Sequence, residues 1–198
     1  MRLLLFSDIH GDLGALERLL AVEADYYIAA GDLVSWARGL DRVGEAMRGR
    51  AGKLGVIPGN HESPADITAF CEKYGFDDLH GRTRPAGGFQ LAALGCSSPT
   101  PFRTPGEYSE SEIARRLAAF NGLTPLVLVC HCPPKSTLLD RAGPGQHFGS
   151  TAVREFIERE RPRFFFCGHI HEAEGVSEQF GPTLGVNLGK RGYLLEIE

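Results

Sequence analysis

The stretch Arg2-Leu3-Leu4-Leu5-Phe6-Ser7 runs straight into Asp8-Ile9-His10-Gly11, and its reading decides the fold. An apolar run of strand length, stopped by an acid and a glycine, reads as a strand buried on both faces. Helical spacing follows over Leu13 to Val22, with Leu13, Leu16, Leu19 and Leu20 on one side. The alternation then recurs. Tyr26 to Ala30 is a second strand ending at Gly31-Asp32, and Leu40 to Arg48 a helix with Leu40, Val43 and Met47 on one face. Leu54 to Ile57 is a third strand, stopped by Pro58-Gly59. Pro64 to Tyr74 is a helix in which Ser63 suits the N-cap and Pro64 the first helical position.

The middle of the chain changes character. Arg82 to Leu94 carries Gly87-Gly88 between short extended pieces and predicts a hairpin. Ser97 to Gly106 is a Pro-rich loop. Ser109 to Phe120 is a helix opened by the capping-box pattern Ser109-x-x-Glu112. Leu126 to Cys130 is a strand ending at His131, Arg141 to Gly149 a Gly-rich loop, and Thr151 to Glu160 a helix. Arg163 to Cys167 is a strand ending at Gly168-His169. The tail from Glu174 to Ile197 reads as short strands between Gly-Pro and Gly-Lys turns. Strands and helices in this order, without repeat or linker, predict one α/β domain over 1–198 with mixed sheets.

Every polar motif of note falls just after a strand, where sites of α/β sheets collect. The motifs are Asp8-Ile9-His10, Gly31-Asp32, Gly59-Asn60-His61-Glu62, His131-Cys132-Pro133-Pro134 and Gly168-His169-Ile170-His171. Together they supply two carboxylates, an amide oxygen and imidazoles enough for two adjacent divalent metals, with His61 left over for proton transfer. In extended backbone residues i and i+2 point the same way, so Asp8 and His10, and again His169 and His171, are expected to aim at one point. Asp32 has two oxygens with which to bridge two cations. Mixed oxygen and imidazole donors suit manganese, iron, zinc, cobalt or nickel. Two such ions clamp a phosphoryl group and lower the pKa of a shared water, whose hydroxide attacks phosphorus in line. An imidazole beside them that titrates near neutrality suits a general acid.

In this order the motifs resemble those of the calcineurin-like metallophosphoesterase superfamily, from Asp8 to His171. The resemblance implies a four-layer α/β/β/α sandwich, two mixed sheets face to face with helices outside. It implies one metal held by Asp8, His10, Asp32 and His171, and another by Asp32, Asn60, His131 and His169. Asp32 bridges and His61 protonates the leaving group or steadies the transition state. Manganese is the first choice of metal. Protein phosphatases of the superfamily carry Gly-Asp-x-x-Asp-Arg-Gly, in which the second Asp orients the catalytic His. Here Ser35 stands at that position in Gly31-Asp32-Leu33-Val34-Ser35-Trp36-Ala37, and no Arg follows it. The chain is therefore more similar to the small prokaryotic phosphodiesterase-type members. Asp12 stands where many relatives have Asn.

The expected activity is thus metal-dependent hydrolysis of phosphodiesters. A phosphomonoesterase or a dinucleoside polyphosphate hydrolase is the alternative within the class. A scaffold with this fold, or a metal or nucleotide sensor, are alternatives outside it; all ligand positions hold competent residues, which disfavours the scaffold. The expected partner is a phosphate ester, a nucleotide among the candidates. A homo-oligomer formed through a sheet edge or helix face is compatible with the resemblance.

Composition narrows the remaining classes. Hydrophobic residues at 42% and charged residues at 23% describe an ordinary globular protein. A net charge of −4 gives no general pull toward nucleic acid or anionic membrane. No apolar run reaches transmembrane length, and Met1 to Phe6 lacks the length and cleavage site of a secretory leader. The cysteines Cys71, Cys96, Cys130, Cys132 and Cys167 have no framework spacing, which predicts free, mostly buried thiols in a reducing cytoplasm. A Cys/His zinc site is the weaker alternative for three of them.

Some residues carry weaker signals. Arg38, Arg82, Arg84 and Arg103 lie in loop-like stretches where phosphate could be bound, but read first as solvated charge. Trp36, Phe102 and Phe148 could stack on a nucleobase, but read first as packing residues. His147 sits between the last two ligand-bearing strands and is a candidate for substrate contact. His80 reads as a surface residue.

Overall fold

Leu3 and Leu5 point one way from the first strand and Leu4 and Phe6 the other, and all four are buried. That is the signature of a strand covered on both faces. The computed structural model describes residues 1–198, and its first strand, β1 (Arg2–Phe6), lies inside a sheet. The chain continues through α1 (Leu13–Leu20), β2 (Tyr26–Ala29), α2 (Leu40–Met47), β3 (Leu54–Val56), α3 (Pro64–Tyr74) and β4 (Asp77–Asp78). A hairpin of β5 (Arg82–Ala86) and β6 (Phe89–Leu94) leads to α4 (Glu110–Leu117) and β7 (Leu126–Cys130). Then come β8 (Arg141–Gly143), β9 (Gln146–His147), α5 (Thr151–Glu160) and β10 (Phe164–Cys167). The chain closes with β11 (Ser177–Phe180), β12 (Thr183–Asn187) and β13 (Tyr193–Glu196).

One sheet has the order β13-β1-β2-β3-β4, and β1 to β4 pair in parallel while β13 is antiparallel to β1. The other has the order β11-β12-β10-β7-β6-β5, parallel in its centre with antiparallel strands at both edges. Both are mixed, as the alternation of elements predicts. Leu3, Leu5, Ile28 and Ile57 from the first sheet meet Leu91, Val127, Val129 and Phe166 from the second in one apolar cluster. The opposite face of the first sheet buries Leu16 and Leu19 of α1, Val43 and Met47 of α2 and Phe70 of α3. The second sheet's outer face buries Ile113 and Leu117 of α4 and Val153, Phe156 and Ile157 of α5. The result is the four-layer α/β/β/α sandwich.

Several elements have local causes visible in the chain. Ser63 accepts from Asp66 N–H while Asp66 accepts from Ser63, a reciprocal cap with Pro64 behind it. At α4 only half of the expected box forms. Ser109 caps Glu112 N–H, but the Glu112 carboxylate turns to Arg115 and Arg116, to which it is bonded at 2.7 Å. The Gly-rich segment after Asp140 is not plain loop, as β8 pairs with β9 in a short hairpin. Arg82 and Arg84 lie on strand β5, not in a loop. His80 is not a surface residue either. Its ring is enclosed between Gly95 N–H, which donates to Nδ1 at 3.1 Å, and Tyr108 Oη at 3.1 Å from Nε2. Burial, joined by the Arg116 charge, pulls His80 down to about 4. The five cysteines are all free and buried. No helix is long and apolar enough to cross a membrane.

Candidate metal centre

Five loops leave the ends of β1, β2, β3, β7 and β10 and converge on Asp32. On one side of it His131 Nε2 lies 3.4 Å from Asp32 Oδ2 and 3.3 Å from Asn60 Oδ1. His169 Nδ1 lies 2.8 Å from the same Asn60 oxygen. On the other side His10 Nε2 is 3.7 Å from Asp32 Oδ2 and 3.1 Å from His171 Nε2, and His171 Nε2 is 3.6 Å from Asp8 Oδ1. Ligand atoms each held about 2.1 Å from one ion stand roughly 3.0–3.5 Å apart. The donor set and its spacing therefore fit two divalent cations. Ligand-type atoms group as Asp8, His10 and His171, as Asp32, His131 and His169, and as His10, Asp32 and His61. The first two groups lie within the two sets expected from the sequence; the third brings His61 beside both.

The chain does not reach this geometry by strand alternation. Asp8 (φ +55°), His10 (φ +47°), Asp32 (φ +53°) and His169 (φ +71°) all have left-handed backbone, a conformation few non-glycine residues adopt. Each strand stops short of its motif, and the side chains are aimed by tight turns. Close approach adds a demand at the glycines. A Cβ on Gly59 would lie 2.0 Å from Asp32 Oδ1, and one on Gly31 2.6 Å from the Gly59 backbone and from His131 Nδ1. Gly59→Ala is therefore expected to displace the Asp32 carboxylate and cut metal occupancy at least tenfold with a folded protein; full metal content by elemental analysis would refute this.

Asp32 is used asymmetrically. Its Oδ1 accepts from His61 N–H at 2.9 Å, while Oδ2 faces both His10 and His131. A bridge between two ions would thus rest on one oxygen. Asp8 is fixed by Ser7 Oγ at 2.5 Å and by His169 N–H at 3.1 Å, and Gly189 N–H donates to that same Ser7 oxygen. Thr104 Oγ1 accepts from Asn60 Nδ2 at 3.2 Å, which turns the amide oxygen toward His131 and His169.

The imidazoles are set by their other nitrogens. His131 Nδ1 donates to Ala30 carbonyl at 2.8 Å, and His10 Nδ1 pairs with Ser35 Oγ at 3.1 Å, leaving both Nε2 lone pairs for a cation. Burial lowers His10, against the pull of Asp32 and Asp8, and also takes His169 down to about 4, so both are neutral at pH 7. Burial opposes a charge on His131 too, but the carboxylates of Asp32 and Asp8 override it and push His131 up to about 9. That value exceeds the unfolded one, so in the metal-free protein a charged His131 stabilises below about pH 6.5 and the gain fades as pH rises through about 9. Metal loading at pH 7 must then displace that proton. Calorimetry in buffers of different ionisation enthalpy should read net proton release on loading, since the Asp8 carboxylate raises His171 as well; no release would mean that both imidazoles are already neutral.

Three residues carry roles the sequence left blank. Glu62 is fully buried and accepts from the N–H groups of Asp32 (3.1 Å), Val34 (2.9 Å) and Gly59 (3.0 Å), locking two ligand loops together. Burial, then the Asp32 charge, pushes it up to about 8. Asn187 Nδ2 donates to Leu139, Gly168 and Ile170 carbonyls and holds the His169 loop. Asp12 caps α1 by accepting from Ala15 N–H and pairs with Lys190 at 3.2 Å. The carboxylate there forms an ion pair with the lysine, where an amide would offer only a neutral hydrogen bond. Ser35, at the position of an orienting acid, serves His10 instead. His61 Nδ1 accepts from Trp36 N–H at 3.3 Å, leaving the ring proton on Nε2.

Beside the centre lies a cleft of about 600 Å³ lined by Asp32, Asn60, His61, His169 and His171 and, farther out, by Lys135 and His147. Arg38, Arg82, Arg84 and Arg103 do not line it. The aromatics depart from expectation. Phe102 and Phe148 are 73% and 53% exposed on its wall, and Trp36 is 46% exposed while packing edge-on to His61. Loops carry these rings past the end of the core, where no apolar layer is left to cover them.

Comparison with known proteins identifies the family. A family model for calcineurin-like phosphoesterases matches residues 1–173, and the chain belongs to that family. An uncharacterised protein of Methanocaldococcus jannaschii is 30% identical across 98% of this chain and 91% of its own. Phosphopantetheinyl hydrolase of Mycobacterium tuberculosis superposes with a TM-score of 0.67 at 18% identity, over 94% of this chain and 88% of that one. A dimetal phosphatase of Danio rerio does so with a TM-score of 0.65 at 12% identity, over 96% and 88%. At those identities the likeness is one of fold. The family makes this chain a phosphoesterase with candidate ligands for a dinuclear divalent centre.

Proposed function

We propose that the chain hydrolyses phosphodiesters with two divalent metals, manganese first, one held by Asp8, His10, Asp32 and His171 and the other by Asp32, Asn60, His131 and His169. The observation that carries this reading is the convergence of the other six residues and His61 around Asp32, beside a cleft that Asp32, Asn60, His61, His169 and His171 line. The metals would supply Lewis-acid polarisation of the phosphoryl oxygens and a nucleophile at neutral pH. The chain's own groups do the rest. With Nδ1 engaged by Trp36 N–H, His61 keeps its proton on Nε2, the atom that would protonate a leaving group. Asp32 Oδ1 holds the His61 backbone, which ties the acid to the bridging ligand.

The cleft supports a diester over a monoester. Lys135 is its one lysine or arginine, so no bidentate guanidinium clamp waits for a phosphate dianion. Its volume leaves room for a second ester group beside the phosphorus. The buried, unpaired thiols suit a reducing cytoplasm. The test compares bis-p-nitrophenyl phosphate with p-nitrophenyl phosphate on metal-stripped protein refilled with Mn²⁺. Metal-dependent turnover at least about tenfold in favour of the diester is expected. A monoester preference would move the assignment to a phosphomonoesterase.

A further inference from the structure

His147 is built into the cleft more firmly than a bordering loop residue needs to be. Its Nδ1 is bonded to Asp140 Oδ1 at 2.7 Å. Asp140 is fully buried and is itself fixed by the N–H groups of Ser136 (3.1 Å), Thr137 (2.9 Å) and Gly149 (2.9 Å). The ring orientation is thereby set, while Nε2 has no partner in the protein and the ring lines the cleft shared with His61 and His169. Phe102 and Phe148, both largely exposed, line the same cleft. The wall thus offers two open aromatic faces and one fixed imidazole nitrogen, beside a centre that the family assigns to phosphoesters.

We propose that His147, Phe102 and Phe148 form a subsite for a planar heteroaromatic ring on the ester group that stays with phosphorus, so that nucleoside-type phosphodiesters are preferred. This rests on the diester reading above and names its substrate class. A nucleobase has a face for the phenyl rings and a polar edge for an imidazole nitrogen. An alkyl group would use the rings and leave His147 unmatched; a sugar alone would use His147 and leave the rings uncovered. The cleft's roughly 600 Å³ holds a nucleoside phosphate and far exceeds a bare phosphate. Asp140 acts only through His147, as its positioning residue.

The experiment compares thymidine 5′-(p-nitrophenyl) phosphate with methyl p-nitrophenyl phosphate, two diesters with one leaving group, on the Mn²⁺-loaded protein. A kcat/KM ratio of about tenfold or more in favour of the thymidine ester, carried by KM, is expected. His147→Ala and Phe148→Ala should each collapse that ratio several-fold, and His147→Gln, which returns a nitrogen at similar reach, should restore part of it. Thermal melts and metal content verify that each variant is folded and loaded. Calorimetry adds a readout without turnover, in which thymidine 5′-monophosphate should bind about tenfold more tightly than methyl phosphate. Equal kcat/KM for the two esters in the unaltered protein, or variants that lower both alike, would overturn the subsite and leave the diester reading standing. Turnover of neither ester would sink the diester reading; the calorimetric preference then decides the subsite, its presence upholding it and its absence overturning it.

Discussion

Asp32→Asn should leave the protein folded, strip it of both metals and reduce turnover to background. The expectation follows from how the carboxylate is used. Oδ2 faces His10 at 3.7 Å and His131 at 3.4 Å, and Oδ1 accepts from His61 N–H. Asparagine keeps the shape but loses the charge. It can present its oxygen to the cations only by turning an NH₂ toward the His61 N–H, two donors facing each other. The buried charge is also what favours cation binding. Nearby imidazoles, His131 first among them, outweigh burial and hold Asp32 well below the usual carboxylate range. Elemental analysis after dialysis should find less than one metal per chain, and bis-p-nitrophenyl phosphate hydrolysis should vanish with it. Two tightly bound metals in the variant would remove Asp32 from the bridge.

His61→Ala should separate metal binding from catalysis. His61 is not among the seven proposed ligands, and its Nδ1 is engaged by Trp36 N–H. Both metals should therefore stay, while kcat falls by roughly 10²–10⁴-fold, the contribution usual for a positioned acid. The leaving group tells acid from electrostatic roles. An ester of p-nitrophenol, which departs without a proton, should lose far less than an ester of an alkyl alcohol. Equal losses for both leaving groups would assign His61 to holding the transition state instead of donating a proton.

Much of the candidate site was legible because its candidate ligands are local words at predictable places. Asp8-x-His10, Asn60-His61 and His169-x-His171 each follow a strand, and strand ends are where an α/β sheet presents its loops. The layers were legible for a similar reason, since short apolar runs such as Leu3 to Phe6 and Leu126 to Cys130, bounded by turn residues, read as strands covered on both sides, and they are. What stayed hidden depends on contacts distant in sequence. Ser7 meets Gly189, Asp12 meets Lys190, and Asn187 reaches Gly168. Glu62 was in plain sight, but only the folded chain shows the three N–H groups on its carboxylate. The left-handed turns at Asp8, His10, Asp32 and His169 have no composition signal at all, because none of the four is a glycine. His147 and its exposed aromatic neighbours could be singled out by type, while Asp140 gave no hint of its buried network.

The two sheets do not share a backbone hydrogen bond with each other's strands; they meet through side chains such as Leu5, Ile28, Val129 and Phe166. Asp8, His10, Asp32 and Asn60 leave one sheet, while His131, His169 and His171 leave the other. Each proposed cation draws ligands from both, so loading would rivet the sandwich across its seam. Holding the halves together and binding the metals become one thermodynamic quantity. A cavity cut at Leu91, in the same seam but on β6, which carries none of the proposed ligands, should then surface as a change in metal affinity, and a chelator should loosen a core it never touches.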